Sequence, residues 1–124
     1  MAGQKAMLEA LGTLEVARNR MFALYGAKPP GWKQEYVRCR RDHQAQLTRI
    51  NRIADDWVAT RAETPEGREL RALIARMRSV LADHQARWSV ANIDAEDPEY
   101  RASMARVDVA RNAILAFAHA SMTG

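Results

Sequence analysis

The chain has 124 residues and a net charge of +4, with 48% apolar and 27% charged residues. That composition belongs to one folded domain rather than a disordered chain, and at this size roughly two thirds of the unfolded surface leaves water on folding. A lone cysteine, Cys39, excludes a disulfide scaffold and a cysteine zinc cluster, and no run of 18 apolar residues offers a membrane span.

The basic charge is carried by 16 Arg against 3 Lys, and Ala numbers 23. This bias reads first as the codon composition of a GC-rich bacterial genome, and second as a choice of Arg forks for phosphate or carboxylate. The N-terminus carries Lys5 and Glu9 with no apolar h-region, so no signal peptide is expected and a cytoplasmic location is.

The first segment, 4–25, stacks Met7, Leu11, Leu14, Met21, Phe22 and Tyr25 on one helical face. It ends at Gly26-Ala27-Lys28-Pro29-Pro30-Gly31. The second, 32–62, stacks Trp32, Tyr36, Cys39, Leu47, Ile50, Ala54 and Trp57. The third, 66–91, follows Thr64-Pro65-Glu66 and stacks Leu70, Leu73, Ile74, Met77, Leu81 and Trp88. The fourth, 98–121, follows Asp97-Pro98-Glu99 and stacks Tyr100, Met104, Val107, Ile114, Leu115 and Ala118. Both of these starts combine a capping side chain, a proline at the first helical position and a carboxylate at the positive end of the dipole. No β-branched alternation suggests a strand.

Four amphipathic helices with short links bury their stripes most economically as one all-α domain over 1–124, an antiparallel up-down-up-down four-helix bundle. The alternative is a pair of helical hairpins that completes a bundle by dimerisation. An internal echo repeats Asp42-His43-Gln44-Ala45 as Asp83-His84-Gln85-Ala86. A duplicated hairpin and coincidence both explain it.

Several polar residues fall inside the apolar stripes: Arg18, Arg40, His43, Arg61, His84 and Arg111. A hairpin turning near Thr64-Pro65 sets His43 beside His84. An inward polar layer of Arg18, Arg40, His43 and His84 is therefore expected, flanked by Asp42 and Asp83. No Glu-x-x-His pair accompanies these histidines, and inward arginines repel a cation, so no metal and no cofactor is expected. Histidine phosphotransfer chemistry lacks its Lys-Gly pair after either histidine. No phosphate-binding loop or nucleophile elbow is present, so no enzyme is expected. Cys39 sits on the apolar stripe as an inert core thiol, and Trp32, Trp57 and Trp88 read as core anchors.

The outward face of segment two carries Arg38, Arg41, Arg49 and Arg52, with Asp42 and Asp56 placed to pair Arg38 and Arg52 at i,i+4. Three functions follow from these features. The first is a protein-interaction module of adaptor, export-chaperone or inhibitor type, presenting Met7, Leu8, Met21 and Phe22 to a protein partner or a second copy. The second is a nucleic-acid-associated protein that tracks phosphates through Arg38, Arg41, Arg49 and Arg52. The third is a small acidic-ligand or metal pocket at the His43/His84 layer.

Overall fold

The computed structural model describes residues 3–89, 93 and 98–123. Four helices follow in chain order: α1 (Gly3–Ala27), α2 (Trp32–Ala59), α3 (Pro65–Arg87) and α4 (Pro98–Ser121). No strand occurs among the described residues. Each helix packs on the next, and α1 closes the ring against α4. The cross-links run antiparallel. Arg20 pairs with Glu35 and Arg49 with Glu9 between α1 and α2, while Arg87 pairs with Glu99 between α3 and α4. One chain thus supplies all four helices of an up-down-up-down bundle, and no helix among the described residues is long and apolar enough to cross a membrane.

The links explain why the helices stop where they do. After α1, Lys28 adopts φ 47° and its backbone N–H donates to the Leu24 carbonyl at 2.8 Å. Its ammonium donates to the Tyr25 carbonyl at 2.6 Å and lies 4.1 Å from the Tyr25 ring centroid. Pro29 and Pro30 cannot extend the helix, and Gly31 supplies the left-handed N-cap of α2 at φ 75°.

Helix α2 ends at Ala59, earlier than residue 62, because Arg61 turns back. Its backbone N–H donates to the Val58 carbonyl and its guanidinium to the Trp57 carbonyl, each at 2.8 Å. Thr64 then caps α3, accepting the Gly67 N–H at 3.0 Å on its hydroxyl, with Pro65 at the first helical position. Gly67 belongs here for its size: a Cβ would lie 1.9 Å from the Arg61 carbonyl oxygen. Helix α3 ends at Arg87, four residues before the expected end, and the indole of the next residue, Trp88, packs edge-on to Tyr100 with centroids 5.6 Å apart. The expected Asp97 cap of α4 lies outside the described residues.

The core has a layered character. At one end Tyr25 stacks on Tyr100 at 4.1 Å, and the Tyr36 and Tyr100 hydroxyls share a buried hydrogen bond of 2.8 Å. All three rings are essentially inaccessible to water. Burying them removes large apolar area, and the shared hydrogen bond offsets the desolvation of two hydroxyls. At the other end Trp57 meets Phe117 edge-on, at 5.7 Å. Aliphatic residues from all four helices fill the middle, and Cys39 is buried there with its thiol pKa pushed up by desolvation.

Candidate functional site

The apolar stripe of α1 is used up by the bundle. Met7 is fully buried and Met21 nearly so, while Leu8 and Phe22 are half-buried against the core. The Arg18 and Arg101 guanidinium groups lie 4.7 and 4.9 Å from the Phe22 ring centroid and cover it. These residues are therefore not the free face expected of them. Periodicity identifies an apolar face, but α2 and α4 supply its cover.

The arginines of α2 are partly neutralised by different carboxylates from those expected. Arg38 pairs with Glu35 at 3.3 Å rather than with Asp42, and Arg49 reaches Glu9 of α1 at 3.6 Å. Arg41 and Arg52 are exposed and form no ion pair among the described residues, so Asp56 does not hold Arg52.

Of the four residues assigned to an inward polar layer, the structure brings three together. Arg40 and His43 of α2 and His84 of α3 line one small, partly open cavity of about 20 Å³, with Tyr36, Gln85, Trp88 and apolar neighbours. Arg18 turns instead to α4, where it makes two hydrogen bonds to the Asp108 carboxylate, one of 2.9 Å from Nε and one of 2.5 Å from Nη2. Arg111 shares that carboxylate at 3.2 Å and is buried. Asp42 and Asp83 are exposed, so Asp108 replaces them as the carboxylate of this region.

His84 Nδ1 lies 2.7 Å from the Ser103 hydroxyl of α4, which fixes its ring. Both histidines have pKa values lowered to about 4. Desolvation is the main cause in each. For His43 the charges of Arg111, His84 and Arg40 add to it, and for His84 those of Arg40 and Arg106 do. Both rings are therefore neutral at pH 7. No group of three or more metal-ligating side chains converges among the described residues.

The Ser103–His84 pair has the separation of a nucleophile and its base, which the sequence did not single out. Two elements of that chemistry are missing around it. Among the described residues no carboxylate hydrogen-bonds the His84 ring, and the backbone N–H groups of mid-α4 are engaged in the helix.

A second feature was also not anticipated. The α2/α3 seam is an open trench. Its upper part, about 230 Å³, is lined by Gln44, Leu47, Ile50, Asn51, Ile74 and Met77, among others. Its lower part, about 200 Å³, continues through Ile74 and Arg78 to Ala54, Asp55, Val58, Ala59, Arg71 and Ala75. From Gln44 to Ala59 the helix rise gives the trench a length of about 22 Å. The floor is aliphatic, and Arg71 and Arg78 stand exposed on the α3 lip against a single Asp55 on the α2 lip.

The repeated tetrapeptide acquires a place here. His43 and His84 meet at the cavity, Gln44 and Gln85 line the trench above it, and Asp42 and Asp83 face solvent. Of the repeated four residues, the histidine and the glutamine of each copy thus face the α2/α3 side, and the aspartate and alanine do not. Compared with protein-family models, with curated proteins and with solved structures, the chain finds no significant match.

Proposed function

We propose that this chain is a non-enzymatic protein-interaction module whose α2/α3 trench receives an amphipathic helix from a protein partner. The observation that carries this reading is the trench itself: a groove between two long helices, open along about four turns, with aliphatic side chains at its base and Gln44, Asn51, Arg78 and Gln85 along its upper walls. An amphipathic helix anchors in such a groove through apolar side chains at i, i+3, i+4 and i+7. The larger depression at the α3/α4 surface, about 440 Å³, is lined by Val80, Ala86 and Ser103 with the charged Asp83, Arg87 and Arg106, and it does not run along a helix–helix seam as the trench does.

Charge selects the partner's chemistry. Arg71 and Arg78 outnumber Asp55 at the lips, so the favoured helix carries Asp or Glu beside its apolar stripe. Phosphate tracking by Arg38, Arg41, Arg49 and Arg52 has less support, because Arg38 and Arg49 are already paired with glutamates.

A direct test uses two synthetic amphipathic peptides with one apolar stripe, flanked by Glu in one and by Lys in the other. In ¹H–¹⁵N spectra the Glu peptide should shift resonances around Leu47, Ile74 and Arg78, and bind at least tenfold tighter than the Lys peptide. The double substitution Arg71→Glu/Arg78→Glu should invert that order. Binding of neither peptide, or shifts confined to another face, would overturn the reading.

A further inference from the structure

The α1/α4 seam lies on the side of the bundle opposite the trench, and its outer face stays exposed. Gln4 donates to the Ala118 carbonyl at 3.0 Å near one end, and Arg18 Nε donates to Asp108 at 2.9 Å further along. These contacts set the antiparallel register, which brings Gly12 level with Asn112 and Val16 level with Val109. On α1, Gly12, Val16 and Asn19 are exposed, and on α4, Ala105, Val109 and Asn112 are. Each set recurs every three or four residues, so each lines one side of its helix. None of the six carries a charge, in a chain of which 27% is charged.

Val16 and Val109 stand out within this face. Among the described residues they are the large apolar side chains left exposed, at 62% and 63%. Charge balances at the same levels of the seam, where Arg18 and Arg111 stand against Asp108 and Glu15. By contrast, α2 presents the exposed Arg41 and Arg52, and the trench lip presents Arg71 and Arg78. Like charges brought together across an interface are costly. A chain of net charge +4 therefore meets its own copy with least repulsion at the α1/α4 face.

The area is sufficient. Over the 24 residues of α4 the face is about 36 Å long, and two helices packed about 10 Å apart make it about 20 Å wide. That offers roughly 700 Å² per copy, close to the roughly 800 Å² per partner of a stable interface. We infer that the α1/α4 face binds a second copy of this chain in a two-fold dimer, with Val16 and Val109 at its centre. A two-fold contact sets the same patch on both sides, so each valine meets its own counterpart and uncharged positions meet uncharged positions. Both trenches then face away from the contact, and the inference stands apart from what fills them.

Sedimentation equilibrium of the full chain, from about 5 to about 500 µM, tests this. The mass should rise from that of one chain to that of two. Val16→Glu and Val109→Glu should each weaken the dimer at least tenfold, and together they should leave only monomer. Both positions are exposed, so the fold should survive, and circular dichroism checks that it does. Ala75→Glu, on the trench, should leave the dimer intact. A chain that stays monomeric over the whole range, or a dimer that persists in the double valine variant, overturns the inference. So does a dimer broken by Ala75→Glu and not by the valine substitutions, since the copies would then meet through the trench.

Discussion

Helix α2 has two neighbours and treats them differently. Toward α1 it is closed: Met7, Ala10, Leu11 and Leu14 are at most 2% exposed, and the Glu9–Arg49 and Arg20–Glu35 pairs bridge the seam. Toward α3 it is open: Leu47, Ile74 and Leu81 retain 7–8% exposure, and no hydrogen bond or ion pair joins the two helices among the described residues. Both seams have aliphatic floors. The difference lies at the lips: ion pairs span the α1/α2 seam, whereas the α2/α3 trench has Ala59, Ala75 and Ala82 among long side chains, Gln44, Gln85, Arg71 and Arg78, that form no ion pair across it. Apolar patterning makes helices pack, but what the rim residues reach decides whether the seam closes.

The closed side should therefore be the more costly one to damage. Leu14→Ala deletes a 1%-exposed side chain from a well-packed core, and the loss should be about 3 kcal/mol, or about 10 °C in Tm. Thermal denaturation measures it. A loss below 1 kcal/mol would mean that the α1/α2 seam relaxes as readily as the trench.

The polar layer between the two regions should make stability depend on pH. The folded pKa of His43 is lowered from 6.5 to about 4, so the unfolded chain binds more protons between those values. Stability from this group is complete above pH 6.5, falls as pH drops toward 4, and does not change further below that. The loss is on the order of 3 kcal/mol for His43, and His84 adds to it in the same direction. The groups acting on the pair are Arg40 on α2 and Arg106, Asp108 and Arg111 on α4. Urea midpoints between pH 4 and 7 should show the slope, and His43→Gln should reduce it to the part that His84 contributes. A flat profile for the unmodified chain would show that water reaches the rings.

A smaller effect belongs to the aromatic end. Tyr36→Phe leaves the Tyr100 hydroxyl buried without its partner, at about 1–2 kcal/mol. Removing both hydroxyls should cost less than the two single changes together, because the second deletion leaves nothing unsatisfied. Additive losses would mean that each hydroxyl already finds another partner.

Much of this architecture is legible in the sequence, and the exceptions share a cause. Four stripes at helical spacing, the Thr64-Pro65 start and the meeting of His43 with His84 all follow from local pattern plus one hairpin. What escapes is whatever depends on a distant element. Arg18 is visibly inside a stripe, but its carboxylate, Asp108, is 90 residues away. Ser103 is an ordinary helical serine until His84 arrives beside it. Met7 and Met21 form an apolar face whose cover comes from other helices. The trench is harder still, since it is made by volume that is lacking, and alanines at 59, 75 and 82 read in sequence only as good helix formers.

That makes the alanines the sharpest probe of the comparison. Ala75 is exposed and helical, so Ala75→Leu adds a side chain at the lip without disturbing the core, and stability should change by no more than about 0.5 kcal/mol. The same leucine lies across the lower half of the trench and should weaken the Glu-flanked peptide at least tenfold. Ala72→Leu, exposed on the same helix but not among the trench-lining residues, serves as the control and should leave binding intact. If Ala75→Leu instead stabilises the fold by more than 1 kcal/mol and leaves binding intact, the trench is a packing defect and the functional face lies elsewhere. A variant that binds poorly but folds as before would separate the open seam from the closed one: the first kept for a partner, the second for the bundle.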